Sequence, residues 1–233
     1  GALHRLGAVD GPGLTARVTA LGRRLVEAPT HPRFARALWE GARLGVADAV
    51  ARACAALEAG EIRGGYTSGP AEITGRAAEA AARLPQVERE ARRLIDAASD
   101  WVSVPRDGDR GSKASVPRDA DRLLAKALLA GFADRVAKKR RTRGTMEFQF
   151  SAGGAADVVE NGFVAGSEYF VVCDAQENKR AGHTEARLTV HAAVGIDPDW
   201  LLDLDPSPLR EEKELFWDRE KERVFEAERL RCD

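Results

Sequence analysis

A chain of 233 residues has room for one large or two modest domains, and a formal net charge of −1 excludes polyanion binding by bulk charge. Hydrophobic content of 44% with 31% charged residues excludes general disorder, and no apolar run approaches the length of a membrane span. The three cysteines, Cys54, Cys173 and Cys232, are far apart and odd in number, which points to reduced thiols in a cytoplasmic protein rather than a disulfide framework or a zinc site.

Leu3, Leu6 and Val9 suggest the last turn of a helix and a short strand before the Gly11-Pro12-Gly13 turn. Thr19 is placed to cap a helix through Glu27 that Pro29 ends. Pro32 opens the next helix, with Phe34, Ala37, Leu38 and Leu44 facing inward. A further helix runs from about Val46 to Leu57 and stops at Gly60. Glu61 to Pro70 reads as a loop hinged at Gly64-Gly65. Two alanine-rich helices follow, near Glu72–Leu84 and Gln86–Ser99, the second burying Val87, Ala91, Leu94 and Ile95. Trp101 to Ala120 breaks this bundle. It holds Ser-Val-Pro-Arg-Asp twice, from Ser103 and from Ser115, in a linker-like composition.

Asp121 to Arg143 is the pivot. Leu123, Leu124, Ala127, Leu128 and Phe132 recur at helical spacing and predict one buried face. Arg135, Lys138, Lys139, Arg140, Arg141 and Arg143 then arrive with no acid after Asp134. Such a run wants an anionic partner or solvent, and a helix C-terminus by itself does not need so many cations. After Arg143 the period becomes two. Met146, Phe148 and Phe150 alternate with polar residues, Asp157–Glu160 suggests a partner strand across Gly153-Gly154, Tyr169–Cys173 is wholly apolar, and Leu188, Val190, Ala192 and Val194 alternate again. Ile196–Leu204 reads as a short helix with Asp197 as its cap. Glu214–Trp217 and Val224–Leu230 flank a charged turn and read as a hairpin. The fold class expected is multidomain α plus β: a helical bundle followed by a small OB-type Greek-key β-barrel.

Catalytic chemistry finds no support. Gly111-Ser112-Lys113 lacks the spacing of a P-loop, and the histidines His4, His31, His183 and His191 are scattered. Asp197, Asp199, Asp203 and Asp205 are better explained by a helix cap and solvated acids than by a metal. Binding remains. Small open barrels hold single strands in cationic grooves with exposed aromatics. The cations here are Arg135 to Arg143 and a second group, Lys179, Arg180, His183 and Arg187. Phe148, Phe150, Tyr169 and Phe170 are expected in the core, so phosphate contact is better supported than base reading.

Several stretches resemble one family. Lys126–Phe132 followed by Val136–Arg140 looks like the junction between the helicase-associated helical domain and the OB-fold domain of DEAH-box RNA helicases. Thr19–Arg23 with Pro29–Arg36 is similar to the start of that helical domain, and Pro198–Leu201 to the segment after the central OB strands. The ending, Phe216-Trp217-Asp218 with Val224 and Arg229-Leu230, is most similar to the bacterial HrpB-like branch. The resemblance implies a winged-helix tail at 1–18, a helical domain at 19–100, a flexible linker at 101–120, a junction helix and basic run at 121–143 and an OB domain at 144–233. It implies an excised C-terminal accessory region of an ATP-dependent RNA helicase, not itself an enzyme. The parent's RecA-like motor domains would hydrolyse ATP with Mg, while this region would need no cofactor. Its partners would be single-stranded RNA, with single-stranded DNA as the variant ligand, and the motor domains; no membrane is implied. Arg135, Lys138, Lys139 and Arg140 would lie beside the strand, and Arg187 near an RNA-touching position of a central OB strand. Two other readings stay open: a free-standing OB-fold single-strand binding protein, and a protein-docking module.

Overall fold

The computed structural model describes residues 2–11, 15–62, 70–99, 101, 119–142, 145–151, 153–158, 167–178, 187–204, 209–218 and 223–232. The 61–70 loop and the 101–120 linker, with its repeated pentapeptide, fall almost wholly outside these. The chain divides into two compact units, Gly1–Asp197 and Pro198–Asp233.

The first unit opens with a helical turn, α1 (Ala2–Arg5), and two short antiparallel strands, β1 (Val9–Asp10) and β2 (Arg17–Val18). Thr19 then caps α2 (Ala20–Glu27) as its sequence position predicts: its hydroxyl accepts from Gly22 N at 2.8 Å and donates to Gly7 O at 2.6 Å. A cap of this kind contributes about 1 kcal/mol. α3 (Pro32–Arg43) begins with Pro32 in its first turn, and His31 caps it, Nδ1 accepting from Arg33 N at 3.2 Å. α4 (Ala47–Glu58), α5 (Pro70–Arg83) and α6 (Pro85–Ala98) complete the bundle. Leu38, Val50, Cys54, Ile73, Val87 and Leu94 are buried in it. Trp101, just beyond α6, is buried against Trp39, with ring centroids 5.8 Å apart.

α7 (Ala120–Phe132) is the centre of this unit. One buried face is expected of it, yet every residue from Ala127 to Phe132 is buried. The reason is that α7 has neighbours on both sides: it packs on α3, α4 and α5, and also on the barrel strands β6 (Tyr169–Asn178) and β7 (Arg187–Ile196). Gly131 permits the closest approach, because a Cβ there would come nearer than 3.0 Å to the Arg33 carbonyl oxygen.

A 3-10 turn, Ala133–Arg135, leads from α7 into the barrel. Here the sequence expectation needs correcting. The two-residue rhythm starts not after Arg143 but at Val136: the basic run is itself a strand, β3 (Val136–Thr142). β4 (Thr145–Phe150) and β5 (Ala155–Val158) follow, and with β6 and β7 they close a barrel in the order β3-β4-β5-β7-β6. All pairings are antiparallel except β5 with β7. Taken from the first strand of the barrel, the order is 1-2-3-5-4 closing on 1, the Greek-key order of an OB-type barrel. Its interior is Ala137, Phe148, Ala156, Phe170, Val172, Val190 and Ala193. An irregularity in β6 around Cys173 and Asp174 shifts the β7 register, so Val190 and Ala193 both face inward despite their odd spacing.

In the second unit, α8 (Trp200–Leu204) starts later than expected, since Ile196 still belongs to β7. β8 (Leu209–Asp218) and β9 (Arg223–Cys232) form the expected hairpin, longer than the sequence suggests and pairing as a two-stranded sheet of their own.

Candidate nucleic-acid interface

Strand geometry sorts the basic run into two faces. Ala137 points into the barrel, so Lys139 shares its phase, while Val136, Lys138 and Arg140 take the opposite phase. The outer face of β3 starts apolar: Val136 is buried and pairs with the equally buried Val171. Beyond them the face is polar and open, and there Lys138 and Arg140 are exposed. An apolar start docks the strand, and a charged end leaves it wet.

Lys138 has two partners. Its Nζ lies 2.9 Å from Glu168 Oε1 and 5.4 Å from the ring centroid of Tyr169, its direct cross-strand neighbour. The Glu168 carboxylate holds the Lys138 ammonium pKa above its ordinary value by that hydrogen bond. Arg140 Nη1 donates to Gln149 Oε1 at 3.3 Å on the neighbouring strand. Lys139 is half-buried, its Nζ 5.8 Å from the Phe170 ring centroid and its backbone directly opposite Phe148.

Arg135 is in a different position. It sits in the 3-10 turn, half-buried, its guanidinium 5.7 Å from the centre of the Phe132 ring. Burial and the nearby Arg33 guanidinium pull its pKa down. Arg33 also lies over that ring at 5.6 Å and forms a two-pronged ion pair with Asp134, Nη2 donating to Oδ2 at 2.7 Å and Nη1 to Oδ1. The pair ties α3 to the α7–β3 junction. Its hydrogen bonds raise the Arg33 pKa and hold the Asp134 carboxyl below the ordinary range. Arg135 is thus packed into the same junction, away from the open outer face of β3.

The remaining cations divide simply. Arg141 lies in β3 opposite Met146, and Arg187 opens β7 opposite Asn178. Arg143, Lys179, Arg180 and His183 lie outside the described residues. Sequence reasoning assigned Tyr169 to the core, whereas only its neighbour Phe170 is there; adjacent strand residues point to opposite faces, which is the signal that separates them. It also passed over Glu168 and Gln149, whose roles depend on which strands pair.

Among the described residues no group of three or more His, Cys, Asp or Glu could hold a metal ion, and no helix is long and apolar enough to cross a membrane. Cys54 and Cys173 are buried thiols; burial pushes Cys173 up to about 12, far from a reactive thiolate. An open groove of about 440 Å³ between α4 and α6, lined by Pro29, Ala55, Glu58, Val87 and Glu90 among others, brings no catalytic set together.

The described residues thus form a helical bundle joined through one buried helix to an OB-type barrel, with cations on the barrel's first strand. The fold is shared with two crystal structures of Escherichia coli HrpB, one described as a DExH-box NTPase and the other as a DEAH/RHA helicase. Each matches with a TM-score of 0.63 at 20% identity, covering 99% of this chain and 25% of the HrpB chain. The chain therefore spans about a quarter of the length of the structures it matches. Neither a protein-family model nor a curated protein sequence matches it.

Proposed function

We propose that this chain is the nucleic-acid-binding accessory region of an HrpB-like, cytoplasmic ATP-dependent RNA helicase. In this reading it closes over single-stranded RNA beside RecA-like motor domains of the parent chain. The observation that carries the reading is the outer face of β3, where Lys138 and Arg140 stand exposed on an OB-type barrel. Cations at alternate positions of a strand are about 7 Å apart, close to the spacing of successive phosphates in an extended strand, so they suit backbone contact rather than base reading. The fold likeness, which runs through helices and barrel alike, supports placing that face in a helicase. ATP and Mg would belong to the motor domains: this sequence has no Walker-type loop to cradle a triphosphate, and no step through the nucleotide is assigned to its residues.

The test is fluorescence anisotropy of a labelled oligouridine titrated with the 233-residue chain at low salt. The wild type is expected to bind, and the double variant Lys138→Ala/Arg140→Ala to lose most of that affinity while keeping its circular dichroism. Equal binding by the two proteins would remove β3 as the contact.

A further inference from the structure

The cation best placed to meet a phosphate already has an anion. Lys138 Nζ is 2.9 Å from Glu168 Oε1, and both side chains are open to solvent, with 53% and 62% of their surface accessible. The contact is built in by the barrel. Glu168 immediately precedes β6, and its carbonyl accepts from Lys139 N at 2.8 Å, extending the β3–β6 ladder by one bond. That bond fixes the Glu168 backbone beside β3, so its carboxylate is delivered to Lys138. Tyr169, the next residue, sits directly across from Lys138 and offers its ring to the same ammonium at 5.4 Å. Arg140, two residues along the same face, donates instead to a neutral amide, that of Gln149.

We propose that Glu168 is an internal competitor for the phosphate site at Lys138, so that a strand binds there only by displacing its carboxylate. The inference rests on the reading of β3 as a nucleic-acid contact and adds a residue that sets its affinity. A carboxylate and a phosphodiester present the same group to an ammonium, an anionic oxygen pair at hydrogen-bond distance. Exchange of one for the other leaves the lysine charged throughout and moves no proton. Both partners are exposed, so the exchange costs little desolvation, and Tyr169 still flanks the ammonium after the carboxylate has left. The site is thereby tuned to weak, readily reversible backbone contact.

The experiment is a double-mutant cycle in oligouridine binding by the full chain at low salt, with wild type, Glu168→Gln, Lys138→Ala and the combination. Glu168→Gln is expected to bind about threefold more tightly than wild type, the scale of one exposed ion pair. The gain is expected to vanish when Lys138 is already alanine. Unchanged or weaker binding by Glu168→Gln, or the same gain in the Lys138→Ala background, would overturn the competition while leaving β3 as the contact. A wild type that does not bind oligouridine would instead overturn the reading of β3 and the competition with it. Glu168→Ala, read in the same cycle, serves if the glutamine variant does not fold.

Discussion

At the scale of single residues, the best-defined electrostatic feature is the Arg33–Asp134 pair, whose side chains are only 14% and 19% exposed. Hydrogen bonds between charged groups in such a setting are worth more than surface pairs, and removing one partner strands the other. Asp134→Asn is expected to lower stability by about 2 kcal/mol at neutral pH, read from chemical denaturation. The pH dependence has a definite sign. Asp134 has a lower pKa in the folded protein than its ordinary 3.8, because Arg33 hydrogen-bonds the ionised form. Its contribution is thus complete above that ordinary value and is lost as the pH falls through the depressed native one. The gap between wild type and Asp134→Asn should therefore close on acidification, and a gap that persisted in strong acid would mean that packing, not charge, holds the junction. Lys138 and Arg140, by contrast, are exposed, and Lys138→Ala should leave the denaturation midpoint where it is in the wild type.

At the scale of elements, α7 and β3 decide how bundle and barrel are joined. Gly131 lies where α7 passes the start of α3, and a methyl group there would meet the Arg33 carbonyl, which is backbone and has little freedom to retreat. Gly131→Ala is expected to destabilise by about 2–3 kcal/mol despite alanine's better helix propensity, with the loss seen in denaturation midpoints. A neutral or stabilising result would show that the two helices separate without cost. β3 itself is held by its inward partners rather than by its own polar residues. Phe148, fully buried opposite Lys139 and 4.9 Å from Phe170, carries the barrel interior. Phe148→Ala is expected to cost about 3–5 kcal/mol and to loosen the strand that bears the candidate contacts. In hydrogen exchange, the amides of β3 and β4 should lose protection first.

At the scale of the whole molecule, the near-neutral net charge makes the location of charge the functional variable. If two or three phosphates meet β3, the logarithm of affinity should fall with the logarithm of salt with a slope of about −1.4 to −2, and Arg140→Ala should reduce that slope by about 0.7. A slope far steeper would require cations beyond this strand. Much of this organisation was legible in order and type. Thr19, Pro32 and Gly60 mark helix ends through local hydrogen bonding and backbone preference, and local effects can be read along one chain. The alternation of Phe148 and Phe150 predicts a strand, and the alternating segments that follow predict a barrel of the OB kind. By itself the sequence determined the helices, the change from helix to strand near the basic run, and the identity of the cations. Only the tertiary structure decided which of those cations face solvent. Val136 to Thr142 carries too few apolar residues to announce a strand, and it becomes one because β4 and β6 supply its hydrogen bonds from either side. The same pairing turns Tyr169 outward and brings Glu168 to Lys138. These are contacts between residues far apart in the chain, and their register is set by barrel closure rather than by any local preference.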